Sequence, residues 1–133
     1  MEKIPSWKFG DTKKEADYIL NLVLSGKKTA TSSLYNSYQS KSISLPRTGD
    51  KNIVQDSKGI KRCLIITKKV EIKPFNKVTK SFAFKEGEGD GSLEYWEKTH
   101  KKFFERRLKS RNKKFNEEIL IVCEEFKLLR KLV

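Results

Sequence analysis

SGKKTATSSLY, residues 25–35, sets two lysines and a run of hydroxyl side chains at a change of backbone conformation. The residues before it predict a helix. Thr12-Lys13-Lys14-Glu15 has the form of a capping box, in which the Thr12 hydroxyl accepts from the Glu15 backbone N–H and the Glu15 carboxylate accepts from that of Thr12. Ala16, Ile19, Leu20, Val23 and Leu24 follow at helical spacing and make one apolar face, while Lys13, Lys14, Asp17 and Asn21 lie elsewhere on the surface. Gly26 supplies the left-handed residue that commonly ends a helix. The quoted stretch therefore begins where a helix stops and continues as an extended segment rich in threonine and serine.

Past Ile43 the pattern changes to short strands joined by turns. Pro46, Gly49 and Asp50 punctuate; Asn52–Gln55 reads as a short strand, Asp56-Ser57-Lys58-Gly59 as a hairpin loop, and Cys63–Ile72 as a long β-branched strand that Pro74 ends. No helices alternate with these strands, so an antiparallel meander is expected. Glu86-Gly87-Glu88-Gly89-Asp90-Gly91 is too rich in glycine for a helix or a strand interior, and Ser92 caps the helix that follows. That helix carries Leu93, Trp96, His100, Phe103, Phe104 and Leu108 on or beside one face. Arg106, Arg107, Lys109, Arg111, Lys113 and Lys114 form the densest basic cluster in the chain. A β-rich run closes the sequence between Glu118 and Leu129, where Glu124 and Glu125 are expected to mark a sheet edge.

Composition narrows the function classes. At 133 residues the chain is read as a single domain, 1–133, large enough to bury its own core. Thirty Lys and Arg against 17 Asp and Glu leave a net charge of +13, a field that favours polyanions, nucleic acid before acidic membrane. The excess of lysine over arginine also fits plain solubility. Cys63 and Cys123 each sit in an apolar run and read as small buried hydrophobes; with no CxxC spacing, neither a zinc site nor a redox motif is signalled. The first residues do not form a signal peptide and no stretch is long and apolar enough to span a membrane, so a cytoplasmic protein is expected.

Gly26, Lys28 and Thr31 match the G-x-K-x-x-T motif of the ASCH domain family, relatives of the PUA RNA-binding fold. The agreement continues in order. Phe9-Gly10-Asp11 precedes the first helix, Leu45-Pro46 and Gly49-Asp50 precede a strand, and Pro74-Phe75 follows the long one. Glu86-Gly87-Glu88-Gly89-Asp90, then Tyr95-Trp96 with His100 and Phe103-Phe104, complete the pattern. The sequence thus resembles an ASCH domain over nearly its whole length.

The resemblance implies an α+β fold: a small mixed, mainly antiparallel β-barrel with packed helices and a cleft where the first strand meets the loop after the barrel. It implies recognition of RNA or of a nucleoside or nucleotide as the theme. One histidine and no paired cysteines leave only carboxylates as ligands, so no metal is expected, nor a cofactor or a membrane partner; the oligomeric state stays open. One branch of the family hydrolyses N4-acylated cytidines, and some bacterial members are ribonucleases. In the amidohydrolase branch the motif lysine is the proton acceptor, the motif threonine the nucleophile and a later glutamate the proton donor. These roles carry over to Lys28, Thr31 and Glu88, with Glu86 the alternative acid. The chain is longer than that branch and differs from it in the acidic loop.

Such chemistry makes demands. Thr31 needs a base to take its proton, and a lysine with its free pKa of about 10.4 serves only if burial or cationic neighbours such as Lys27 lower it. Side chains three apart on a regular strand point to opposite faces, so Lys28 and Thr31 converge only if Lys28 lies in the turn after Gly26 or a bulge intervenes. Each residue also has a plainer reading. Lys28 complements a helix C-terminus, Thr31 is a β-former, the acidic loop is turn chemistry, and His100 is a packed structural residue. A non-catalytic RNA-binding module is the competing function, and a ribonuclease holding Mg²⁺ on Glu86, Glu88 and Asp90 a third. For nucleic acid the candidate contacts are Lys27, Tyr35, Tyr38, Arg47, Arg106, Arg107 and Arg111. Tyr35 and Tyr38, expected in a loop, either stack on bases beside Lys41 and Arg47 or cover the barrel mouth.

Overall fold

The structure is a computed structural model that describes residues 3–41 and 43–132. Helix α1 (Lys13–Leu24) starts at Thr12 with both halves of the capping box formed: Thr12 Oγ1 accepts from Glu15 N at 3.1 Å and Glu15 Oε1 accepts from Thr12 N at 3.2 Å. It ends at Ser25, and Gly26 turns the chain at φ 82°. Strand β2 (Ala30–Leu34) follows. The remaining strands are β1 (Ser6–Trp7), β3 (Lys51–Gln55), β4 (Lys61–Pro74) and β5 (Leu120–Lys131). Helices α2 (Tyr35–Lys41), α3 (Lys80–Glu86) and α4 (Leu93–Lys109) complete the α+β fold.

The five strands form one sheet in the order β1-β3-β4-β5-β2, with β1 parallel to β3 and every other pairing antiparallel. Mixed, mainly antiparallel pairing is as expected; the closed barrel is not seen. Among the described residues no ladder joins β1 to β2, so the sheet is open at both. β1 contributes two residues, too few to bridge the gap. Curvature comes instead from β4, whose register against β5 shifts between Leu64 and Ile65 and again between Thr67 and Lys69, as bulges bend a strand.

Alternation along β5 divides the interior in two. Ile121 and Cys123 join Ala30, Leu34, Trp96 and Phe104 in a core beneath α3 and α4. Phe126 joins Phe9, Leu20, Val23, Val54 and Ile65 in a second core beneath α1. Cys63 and Cys123 are both buried and unpaired, as their apolar surroundings suggested.

Three local expectations are corrected. Residues 35–41 are helical rather than a loop. Glu86 is not in the acidic loop but is the last residue of α3, a helix hidden in the sequence because its apolar Phe82, Ala83 and Phe84 run consecutively and its buried face continues in the charged Glu86; Thr79 caps it through Phe82 N at 3.1 Å. Glu124 and Glu125 do not mark an edge, because β5 lies between β4 and β2. Glu124 accepts from Thr67 Oγ1 at 2.6 Å and Glu125 pairs with Lys85 at 3.0 Å, which lets both acids sit in an inner strand.

The packing separates two classes of substitution. Phe104 is fully buried, so Phe104→Ala should cost about 3–5 kcal/mol in urea unfolding. Thr12→Ala, which removes only the cap of α1, should cost about 1 kcal/mol. Equal losses for the two would contradict this placement of the core.

Candidate functional site

Between Gly26 and β2 the backbone crosses the end of α3. Lys28 N donates to Leu22 O at 3.0 Å and Thr29 N donates to Lys85 O at 2.7 Å. Gly87, at φ 69°, packs so tightly on this turn that a Cβ there would lie 2.4 Å from Lys27 O. The close approach aims the Lys28 side chain, 1% exposed, at the C-terminus of α3. Its Nζ donates to Glu86 Oε1 at 2.9 Å, to Glu88 Oε2 at 3.0 Å and to the Glu86 carbonyl at 3.3 Å, so all three ammonium protons have acceptors.

Glu86 is buried and equally well partnered. Its Oε2 accepts from Ser32 Oγ and from Trp96 Nε1, both at 2.6 Å, and lies 3.4 Å from His100 Nε2. His100 stacks on Trp96 with ring centroids 4.5 Å apart, and its Nδ1 is 2.9 Å from the Trp96 carbonyl. An imidazolium satisfies both contacts, one N–H to the carbonyl and one to the carboxylate.

The charges explain one another. Burial pushes Lys28 down, but Glu86 and Glu88 outweigh it and hold the amine above its ordinary value. Burial pushes the Glu86 carboxyl up, and Lys28 and His100 overcome this to hold it well below the usual carboxylate range. Burial likewise lowers His100, and Glu86, Glu88 and the Trp96 carbonyl together outweigh it and hold the imidazole above its ordinary value.

Above this cluster opens a cavity of about 390 Å³. Lys28, Glu86, Glu88 and His100 form its floor, with Thr31 and Ser32 beside them on β2. Phe9, Ile19, Tyr95 and Phe103 supply apolar and aromatic walls. Lys98, Lys102 and Arg106, four apart on α4, stand on one face of that helix at the rim.

Residues 5–130 match the ASCH domain family model. The chain belongs to the ASCH domain family. An ASCH domain structure from Lactobacillus crispatus is similar to it with a TM-score of 0.89 and 33% identity, covering 94% of this chain and 79% of that one. A structure from Enterococcus faecalis has a TM-score of 0.91 and 36% identity, covering 98% and 79% respectively. A hypothetical protein at 20% identity and a TM-score of 0.59, covering 93% of this chain and 99% of that one, supports the fold alone. No curated protein matches the chain.

Within this ASCH domain the residues singled out by sequence separate into groups. Lys28, Thr31, Glu88 and Glu86 all line the one cavity. Lys28 lies in the turn before β2, the placement that alternation on a strand required, and both glutamates reach it. Thr31 shares the cavity without a hydrogen bond to Lys28 among the described residues. Arg106 is at the rim, where it and Arg107 share Asp11. Arg111 instead ties α2 to the end of α4, donating to Asn36 Oδ1 at 2.7 Å and Ser37 Oγ at 3.0 Å. Lys27 is exposed on the turn, Tyr35 opens α2, and Tyr38 and Arg47 line a separate groove. The side chain of Lys41 lies outside the described residues.

Several site residues escaped the sequence reading. Ser32 and Trp96 hold Glu86, and nothing in their spacing announces it. His100 is packed, as expected, and also faces the carboxylate. The spacing of Lys98, Lys102 and Arg106 was visible in the sequence as a single helical face. Glu86, Glu88 and His100 offer donor atoms within 4.8 Å of one another, a set that could hold a metal ion, but the Lys28 ammonium already pairs with both carboxylates.

The cluster has a signed pH dependence. His100, raised above 6.5, adds stability that is complete below that pH and fades as pH rises through its folded value. Glu86, lowered from 4.5, adds stability present above 4.5 and lost as pH falls through its folded value. Glu86→Gln keeps an acceptor for Ser32 and Trp96 but removes the charge, leaving Lys28 and His100 short of their counter-ion. It should cost about 3–5 kcal/mol. In an NMR titration the His100 midpoint should lie above 6.5 in the wild type and fall in this variant; an unmoved midpoint would contradict the pairing.

Proposed function

We propose that this ASCH domain binds a nucleoside or nucleotide, free or as a unit of RNA, in the cavity over the Lys28–Glu86 pair. The observation that carries the reading is the layering of the cavity. Its floor offers the Glu88 carboxylate and the Thr31 hydroxyl over a fixed charge network, its walls are apolar and aromatic, and its rim is cationic. A base presents mixed donors and acceptors on its edge and an apolar face, and it leads through a sugar to phosphate. The volume lies within the range of small-molecule sites. The net charge of +13 favours the same class of ligand.

Because all three Lys28 protons are taken by Glu86 and Glu88, it enters recognition by fixing Glu88 in place rather than as a donor to the ligand. Glu88 Oε1, at the more exposed end of the cluster, is the acceptor best placed for an exocyclic amine; the Glu88 side chain is 14% exposed against 2% for Glu86. That difference favours Glu88 as the residue that meets the ligand and Glu86 as the one that holds Lys28.

Hydrolysis of an N4-acylated cytidine is a second reading, favoured by one observation: the Thr31 hydroxyl shares the cavity with Lys28 and Glu88. Thr31 would attack the acyl carbon, its proton passing to the cytosine amine as the C–N bond breaks, and water would then hydrolyse the acyl–Thr31 ester to release the carboxylic acid and restore the hydroxyl. Lys28 accepts the Thr31 proton only after its ammonium is freed from the two carboxylates and deprotonated, so in the arrangement described it is not a base, and it acts on the developing oxyanion through its charge alone.

Calorimetry with cytidine 5′-monophosphate and N4-acetylcytidine tests both readings. Wild type should bind each, and Glu88→Gln, which preserves shape, should weaken binding by about 10-fold or more, the usual worth of a charged hydrogen bond. Binding unchanged in both Glu88→Gln and Lys28→Met would contradict the proposed site. For the hydrolase reading, Thr31→Ala should stop cytidine release from N4-acetylcytidine while binding persists. No release by the wild type would leave recognition alone.

A further inference from the structure

The nucleotide cavity continues beyond its own walls. A depression of about 260 Å³ shares Ser32 and Phe103 with it and is lined further by Ser33, Tyr38 and Arg107. That depression in turn shares Tyr38 and Ile43 with a groove of about 780 Å³, whose lining includes Trp7, Arg47, Lys51 and Asn52. Shared lining residues thus set the three hollows in series, a track from the α4 rim past α2 to β1 and the start of β3.

Each section of the track carries an aromatic ring and a cation. Tyr95 and Phe103 stand with Lys98, Lys102 and Arg106 in the cavity, Tyr38 with Arg107 in the middle, and Trp7 with Arg47 and Lys51 at the far end. The far ring is held in orientation. Trp7 Nε1 donates to Asn52 Oδ1 at 2.8 Å, and the indole meets Phe9 edge-on at 4.8 Å between centroids. Arg47 and Lys51 are exposed, and neither side chain has an ion-pair partner among the described residues. Three acids temper the positive field: Asp11 pairs with Arg107 in the middle section, Asp50 accepts from the Arg47 backbone N–H at 2.9 Å, and Glu124 is held by Thr67.

Rings for stacking, repeated along a line and accompanied by cations, are the requirements of a single-stranded polynucleotide. A free nucleoside would use only the first hollow. We propose that the ligand is a single-stranded nucleic acid of three or more nucleotides, with one base in the Lys28 cavity and the strand running past Tyr38 to stack on Trp7 beside Arg47 and Lys51. The proposal rests on the nucleotide reading of the cavity and extends it.

Fluorescence anisotropy with labelled cytidylate oligomers of one, three, six and twelve units tests this, with ribo and deoxy series to distinguish RNA from DNA. Affinity should rise by about 100-fold from monomer to hexamer, as one or two stacked bases worth about 1–3 kcal/mol each are added. The Arg47→Ala/Lys51→Ala double variant, altered only at exposed side chains, should bind the monomer as wild type does and the hexamer about 10-fold more weakly. Its log–log salt slope for the hexamer should fall by about one unit, near 0.7 per lost phosphate contact. A hexamer bound no more tightly than the monomer, or equally well by the double variant, overturns the track and leaves the nucleotide reading standing. Hexamer binding that is indifferent to both Glu88→Gln and Lys28→Met overturns the placement of a base in the cavity. If neither monomer nor hexamer binds, both proposals fail.

Discussion

A buried ammonium paired with a buried carboxylate organises this molecule. Lys28 and Glu86 are 58 residues apart in sequence, and their contact fastens the turn after α1 to the end of α3. Glu86 then passes the constraint on, through Ser32 to β2 and through Trp96 and His100 to α4. Removing two such charges from water is expensive, and the expense is met only where every donor and acceptor finds a partner. Here the three ammonium protons and both carboxylate oxygens of Glu86 do. A hydrophobic pair of the same volume would pack the same space more simply, so the polar arrangement points to a role in the cavity above it.

That role follows from how the cluster distributes exposure. Glu86 and Lys28 are closed off, while Glu88 reaches the same ammonium from the cavity side. A ligand bound there as proposed would meet a floor whose charges are mutually satisfied and whose orientation is fixed before binding, the condition under which polar contacts discriminate rather than merely attract. Long-range attraction is left to the helix rim and to the rest of the +13 surface. Under the proposed function selectivity and steering would be carried by different residues, and salt should act on the second far more than on the first.

Much of this was legible in the sequence, for reasons that can be named. The capping box at Thr12 and the stop at Gly26 are local signals, and they placed α1 and the following turn correctly. Lys28 and Thr31 of the motif and the later acids Glu86 and Glu88, singled out by the resemblance, are found lining one cavity. What failed was whatever depended on long-range pairing. The apolar residues of the seven-residue helix α3 run consecutively, so Glu86 was assigned to a loop rather than to a helix end. Tyr38 was placed in a loop because α2 gains its stability from neighbours such as Ser33 and, through Asn36 and Ser37, Arg111. Glu124 and Glu125 suggested an edge because charged residues usually avoid inner strands, and only the positions of Thr67 and Lys85 reveal why these two do not. Closure of the barrel was an inference from resemblance, and the two-residue β1 does not supply it.

A double-mutant cycle on Lys28→Met and Glu86→Gln, followed by urea unfolding, tests the central pairing most directly. If the two charges hold each other as described, each single variant strands its partner, and the double variant should cost less than the sum of the two by about 2–3 kcal/mol. Losses that add to within about 0.5 kcal/mol would show that the groups do not depend on one another, and the account of the site would fall with them.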